Sequence, residues 1–444
     1  MGQALITDLY ELAMAGSYLR RGMTTPATFS LYVRDLPPSR GFVVAAGLED
    51  CLDYLQRFRF GPDDTAWLAG HGFPPDVVEA LAALRFTGDV HAVQEGRVLV
   101  AGEPLLEVTA PLPEAQLVET FLLNRVTFQS ALATKAARCR LAAGDMELID
   151  FSLRRTHGTD AGLAVARVTA MAGFAATSNV EAARLLGLRA AGTMAHSYVQ
   201  AFASEGDAFR AFVDDMPGPY TFLVDTYDTL DGVRVAVEVI HELGLEGPLA
   251  VRLDSGDLAA LAHATRRVLD DAGLAHVRIF ASGGLDEYGL EELRLAGAPV
   301  DAVGVGTKVG VAADAPYLDT VYKLVQLGPD PVTKLSVGKE SLPGPKQVWR
   351  RAGAPDVLAL RGEPGPPGAH PLLQPVLSGG GRLAAPTSVA AARRRLEADL
   401  AWLPDDARRI RDPRQPAAVL SEGLRALQAE TRARARTRAA EAAP

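Results

Sequence analysis

Residues 249–257 read LAVRLDSGD: an apolar run carrying one arginine, then Asp254, Ser255, Gly256 and Asp257 in place of a clean stop. On either side lie TLDGVRVAVEVIHELG (229–244) and LAALAHATRRVLDDAG (258–273), whose apolar residues recur with helical 3.6-type spacing. The theme repeats in ELIDF (147–151), TFLVDTYD (221–228), VRIFASGG (277–284) and DAVGVGTK (301–308), with LDEYGLEELRLAG (285–297) as a helix between the last two. Continuous apolar strands separated by amphipathic helices predict a parallel sheet covered by helices. The strands run out into Asp, Ser, Gly or Thr, and strand C-termini are where a β/α barrel builds its site. An open doubly wound sheet obeys the same rule, so the pattern by itself leaves both architectures open.

The flanks differ in texture. TDLYELAMAGSYLRRG (7–22) predicts a helix capped by Thr7, ATFSLYVRDLP (27–37) an alternating strand, and DVHAVQEGRVLVAGEPLLEVTAP (89–111) hairpin-forming strands. PEAQLVETFLLNRVTFQSALATKAARCRLAA (113–143) is a long apolar-faced helix or a pair of them. After Lys323 the periodicity fades. KLSVGKESLPGPKQVWRR (334–351) suggests a small strand-rich piece, RGEPGPPGAHPLL (361–373) a linker or exposed loop, and LRALQAETRARARTRAAEAAP (424–444) a solvated helix. The expected division is an N-terminal α/β domain over 1–140, a β/α domain over 141–325, and a C-terminal extension over 326–444.

A chain of 444 residues exceeds one small core. Its 48% hydrophobic and 22% charged residues are ordinary for a soluble globular protein. A net charge of -9 argues against a general nucleic-acid binder, so the positive charge for any anionic ligand must be local. Cys51 and Cys139 make neither a disulfide framework nor a zinc site and suit a reducing cytoplasm. The acidic N-terminus is no secretory signal, Ile6 stands where myristoylation needs Ser or Thr, and no apolar run approaches the roughly 20 residues of a membrane span. A cytoplasmic protein with no membrane or nucleic-acid partner is expected.

The strand-end motifs carry the chemistry. In VRLDSGDL a cation and carboxylates converge at one strand end. Arg252 has the planar fork that suits a carboxylate or phosphate, and Asp257 is also a natural helix cap. FASGGLDE (280–287) and AVGVGTKVG (302–310) run from a strand into Gly-rich backbone whose N–H groups can cradle a phosphate, through Gly283, Gly284, Gly304 and Gly306. DFSLRRTHGTDAGL (150–163) sets Arg154, Arg155 and His157 beside Gly158, where a polyanion can be met. AAGTMAHSYVQAF (190–202) places His196 among small residues that leave room at its ring, and imidazole can act as base, metal ligand or nucleophile. No Cys or second His accompanies it, which argues against a metal site. Val309 excludes a dinucleotide fingerprint, FVDDMPGP (212–219) reads as a helix end, and there is no Walker A sequence.

Taken in order, TDLYELAMA, RRTHG, GTMAHSY, LVDTYDT, RLDSGDL, ASGGLDE, VGVGTKV, VYKLV and KLSVGKESLPGPKQVWR resemble the nicotinate phosphoribosyltransferase family, over residues 5 to about 351. The resemblance implies an irregular β/α barrel of type II phosphoribosyltransferase kind with an N-terminal α/β domain, assembled as a homodimer with shared active sites. It implies that nicotinate attacks 5-phosphoribosyl 1-diphosphate, releasing pyrophosphate and forming nicotinate mononucleotide for NAD biosynthesis. Magnesium and ATP are implied too, ATP as co-substrate phosphorylating His196. On the same resemblance Tyr10, Thr193 and Arg252 contact nicotinate. Thr307, Gly283, Gly284, Gly304 and Gly306 contact the phosphoribosyl substrate, while Arg154, Arg155 and His157 face its diphosphate. Asp254 serves the ribose hydroxyls or the developing cation. Beyond residue 352 no motif carries over. Competing readings are a relative that uses nicotinamide or quinolinate, a barrel lyase with Lys308 as Schiff-base amine, and a non-catalytic pyridine or phosphate sensor.

Overall fold

A computed structural model of the chain describes residues 4–336 and 340–441; residues 337–339 of the KLSVGKES stretch lie outside the described residues, as do the first and last three. The chain forms two compact units, one drawing on both ends, up to Ala131 and from Tyr317, the other comprising Leu132–Pro316.

In the second unit six parallel strands lie in the order Ala176–Thr177, Glu147–Asp150, Ala302–Val305, Arg278–Ala281, Leu249–Leu253, Tyr220–Leu223. This is the irregular β/α barrel fold as a half-barrel, an open hydrogen-bonded ladder that runs from the Ala176 edge to the Tyr220 edge. The Ala176–Thr177 strand, two residues long, has no apolar run of its own, so the sequence pattern passes over it. In Leu249–Leu253 the residues Leu249, Val251 and Leu253 are buried, while Ala250 and Arg252 share the opposite face. The intervening helices bury one stripe each, as in Thr229–Glu242 through Val233, Ala236, Val239 and Ile240.

The paired aspartates of the strand-end motifs divide their work. Asp228, Asp257 and Asp286 cap the following helices, accepting N–H bonds from Asp231 (3.0 Å), Ala260 (3.0 Å) and Gly289 (3.3 Å). Each cap is worth about 1 kcal/mol. Asp225 and Asp254, three residues ahead of the first two caps, are left for other use.

In the first unit a seven-stranded antiparallel sheet has the order Asp330–Pro331, Thr320–Leu327, Pro26–Val33, Pro104–Pro111, Asp89–Val93, Leu373–Ser378, Gly381–Arg382. The C-terminal segment thus pairs with N-terminal strands and does not stand as a third body over 326–444. Strand pairing across nearly three hundred residues, as between Leu373 and Val93, leaves no local signature for sequence reading to find. A smaller sheet joins His370–Pro371, Lys346–Arg350, Val357–Leu360 and Val419–Leu420.

Local expectations also shift. The helix Leu9–Arg20 has Asp8 at its N-cap, and the Thr7 hydroxyl is bonded to the Glu11 carboxylate instead. Asp89–Val93 pairs with Pro104–Pro111, while Val98–Leu99 pairs with Val43–Val44. The long helical stretch is two helices, Leu112–Leu117 and Glu119–Ala143. Among the described residues no helix is long and apolar enough to cross a membrane, and Cys51 and Cys139 are free and buried.

Candidate active site

The C-terminal ends of the six strands collect the motif residues of the second unit. Arg252, the penultimate residue of its strand, is bonded through all three nitrogens. Nε donates to Ser282 Oγ (2.8 Å), Nη1 to Thr193 Oγ1 (2.8 Å) and Nη2 to Asp254 Oδ1 (2.7 Å). Its guanidinium carbon lies 5.6 Å from the centre of the Phe151 ring, a cation–π distance. Parallel register sets Arg252 beside Phe280 on one neighbouring strand and Leu223 on the other. Phe280 in turn meets Phe151, ring centres 5.6 Å apart. A cavity of about 400 Å³ extends along this inner face from Glu147 and Arg278 at the strand starts, with Arg189 beside them, to Phe280, Gly192, Phe151 and Thr193, the last two in contact with Arg252. Its size and walls suit a small planar ligand.

Asp254 is 27% exposed at the side chain. Burial pushes its carboxyl upward, but the bond from the Ser282 hydroxyl and the Arg252 guanidinium outweigh that and hold it below the usual carboxylate range. It therefore stays ionised, a fixed negative charge against the Arg252 guanidinium. His196 opens the short helix His196–Gln200; its Nδ1 lies 3.2 Å from Thr226 Oγ1 and its Nε2 3.9 Å from Asp254 Oδ2. Asp225 supports the same corner, accepting from the Asp254 N–H (2.9 Å) and from Ser255 Oγ (2.6 Å) through Oδ2. Its Oδ1 is buried without a hydrogen-bond partner among the described residues.

The glycines separate by role. Gly283 has φ +103°, and a Cβ there would stand 2.1 Å from the Asp254 carbonyl oxygen, so the turn after Ser282 requires glycine twice over. Gly284 follows in the same turn. Gly304 lies inside its strand, where a Cβ would meet the Phe151 ring at 2.7 Å; its absent side chain makes room for that aromatic wall. Gly306 precedes Thr307, the first residue of the short helix Thr307–Gly310. Arg154, Arg155 and His157 are exposed, just past the strand that ends at Asp150.

The structure thus brings together Thr193, His196, Arg252, Asp254 and Gly283. Tyr10 belongs to the first unit, at the start of Leu9–Arg20 and 49% exposed, where partial burial and the Glu119 and Glu11 carboxylates keep its phenol protonated. Sequence reasoning assigned nothing to Phe151, Ser282, Asp225 or Thr226. Each was visible as a residue following an apolar strand, but side-chain direction came only with the sheet.

Similarity to known proteins agrees with this geometry. Residues 5–127 match the nicotinate phosphoribosyltransferase N-terminal domain and residues 146–341 the nicotinate phosphoribosyltransferase family. The chain is 47% identical over 420 residues to the nicotinate phosphoribosyltransferase pncB2 of Mycobacterium tuberculosis, covering 92% of this chain and 89% of that protein. It is 34% identical to human nicotinate phosphoribosyltransferase, with 95% of both chains covered. The crystal structure of human nicotinic acid phosphoribosyltransferase superposes with a TM-score of 0.84 at 32% identity, over 96% of this chain and 99% of that one. A nicotinate-nucleotide pyrophosphorylase from Pyrococcus furiosus shares the fold, with a TM-score of 0.75 at 24% identity. This chain belongs to the nicotinate phosphoribosyltransferase family.

Proposed function

We propose that this protein is a nicotinate phosphoribosyltransferase that makes nicotinate mononucleotide for NAD biosynthesis, coupled to ATP through His196. The observation that carries the reading is Arg252: a guanidinium held by two hydroxyls and one carboxylate beside an aromatic-walled cavity. Ser282 and Thr193 are neutral acceptors, which an incoming carboxylate can replace with a stronger, charge-assisted bond. Such a bond is worth about 1.5–3 kcal/mol, roughly ten- to a hundredfold in favour of nicotinate over nicotinamide.

Transfer forms a bond from the pyridine nitrogen to C1 of the ribose as the C1–O bond breaks and pyrophosphate departs with its electron pair. The pyridine nitrogen already has its lone pair, so no general base is required. Positive charge develops on the sugar, and ionised Asp254 is placed to stabilise it. The turns at Gly283–Gly284 and Gly306–Thr307 receive the 5′-phosphate, and Arg154, Arg155 and His157 meet the diphosphate. Asp225, with its unsatisfied Oδ1, and Asp254 fit a magnesium ion brought in on the diphosphate, since magnesium binds through one or two carboxylates plus phosphate oxygens. Bound magnesium would neutralise the leaving group.

For ATP coupling, an Nδ1–H donating to Thr226 leaves the lone pair on His196 Nε2. That nitrogen takes the γ-phosphoryl group, releasing ADP, and water later cleaves the N–P bond to release phosphate. The reading includes a homodimer in which Tyr10 of one subunit covers the pyridine bound by the other. Lys308 is ion-paired with Asp286 at 3.3 Å and is no desolvated amine, which disfavours the lyase alternative.

The test is incubation with nicotinate, 5-phosphoribosyl 1-diphosphate and magnesium, with and without ATP, and with nicotinamide in place of nicotinate. Nicotinate mononucleotide stimulated by ATP is expected, with acid-labile phosphate on the protein. His196→Ala should lose both the stimulation and the label. Equal use of nicotinamide would overturn the Arg252 argument, and ATP stimulation surviving in His196→Ala would overturn the phosphohistidine.

A further inference from the structure

We propose that Lys308 is a ligand of the substrate's 5′-phosphate and that Asp286 is the positioning residue that aims it. The inference rests on the phosphoribosyl reading above and assigns to that reaction two residues it has not used.

Two Gly-rich turns leave neighbouring parallel strands, Arg278–Ala281 and Ala302–Val305. Asp286 lies two residues past Gly284, and Lys308 two residues past Gly306. Their ion pair, Nζ to Oδ2 at 3.3 Å, ties one Gly-rich turn to the other. The lysine side chain is 46% exposed and the aspartate nearly buried.

Asp286 does not depend on Lys308. Its Oδ1 accepts the N–H groups of Tyr288 (3.2 Å) and Gly289 (3.3 Å), and the ammonium of fully buried Lys135 lies 3.7 Å from its Oδ2. Lys135 is itself fixed by Glu287 and by Asp314 at 3.3 Å, and Glu287 by Arg138 at 3.1 Å. The carboxylate is therefore a rigid anchor with a buried cation behind it. An ammonium has three N–H donors on a flexible stem, and holding one of them removes much of the freedom that binding a phosphate would otherwise cost. The remaining donors point a fixed positive charge at a ligand flanked by backbone N–H groups. A dianionic phosphomonoester is the chemistry this recognises.

The experiment compares wild-type protein with Lys308→Met and Lys308→Arg by calorimetry with ribose 5-phosphate, 5-phosphoribosyl 1-diphosphate and inorganic pyrophosphate, and by KM for each substrate. Lys308→Met should weaken both sugar phosphates by about tenfold or more. Pyrophosphate affinity and the KM for nicotinate should stay within twofold, and Lys308→Arg should recover most of the loss. The salt dependence of sugar-phosphate binding should also flatten in Lys308→Met. Unchanged sugar-phosphate affinity in Lys308→Met would overturn the proposal, as would an equal loss for pyrophosphate, or a lowered Tm with all constants falling together. Wild-type protein that makes no nicotinate mononucleotide would strike the functional reading itself, a result separable from any of these.

Discussion

Arg350 and Arg252 present the same guanidinium in opposite settings. Arg350, in the first unit, is 2% exposed and donates to Asp356, to Asp399 (2.7 Å) and to the Val98 carbonyl (2.7 Å), with the Trp402 ring 3.8 Å from its carbon. Two carboxylates, Asp399 being shared with Arg97 at 2.7 Å, balance its charge, and nothing further can approach. Arg252, 12% exposed, has one carboxylate and two hydroxyls, and two of its neighbours, Thr193 and Phe151, line a cavity. The difference is whether the compensating charge is complete. A guanidinium saturated by buried carboxylates is part of the core, whereas one held by neutral hydroxyls is ready for another anion.

The largest expected effect tests the saturated case. Arg350→Met leaves the fully buried Asp356 without its cation, and breaking a buried pair from one side costs about 3–5 kcal/mol. Urea unfolding should show a loss of that size; a loss below about 1 kcal/mol would mean that Arg350 is not the structural member of the comparison.

Arg252→Gln tests the open case. Unfolding free energy should fall by only about 1 kcal/mol, because Asp254, 27% exposed, can take water instead. The kcat/KM for nicotinate should drop roughly ten- to a hundredfold and the preference over nicotinamide should collapse. Steady-state kinetics with both bases reads this directly, and retained preference would break the comparison.

Glu119 sharpens it from the acid side, as a mostly buried carboxyl held by Gln116 Nε2 (2.8 Å) and, among the described residues, by no ion pair. Burial and the nearby Glu11 carboxylate push it up to about 7, from 4.5 for the free group. Between those values the folded chain keeps a proton that the unfolded chain has lost. Its contribution to stability is thus fully present below about pH 4.5 and is lost as the pH rises through about 7. Glu119→Gln should therefore be more stable than wild type at pH 8, by about 1–2 kcal/mol, with little difference at pH 4.5. Thermal melts of both proteins at the two pH values would show it, and a parallel offset at both would exclude the titration.

Much of the second unit was legible because parallel strands buried on both faces write continuous apolar runs, and their helices a 3.6 period. Asp257 was legible as a cap for the same local reason. The short Ala176–Thr177 strand and the pairing of Leu373–Ser378 with Asp89–Val93 were not, since neither leaves a local pattern. At the site, Arg252 stood out as a charge in an apolar strand. Phe151 looked like one more apolar residue, and Gly304 like a phosphate turn, until the sheet set one against the other.

What the sequence by itself determined is the set of strand ends and the chemistry they offer: a guanidinium, carboxylates, an imidazole and two Gly-rich turns, each specified within about ten residues of chain. Only the tertiary structure decided which groups act together. It turned Asp254 to Arg252 while Asp257 capped a helix, and it bonded Ser282 and Thr193 to one guanidinium from different loops. The physical reason is range. Caps, turns and periodicity are set by neighbours along the chain, whereas the partners of a buried charge are set by strand register and packing.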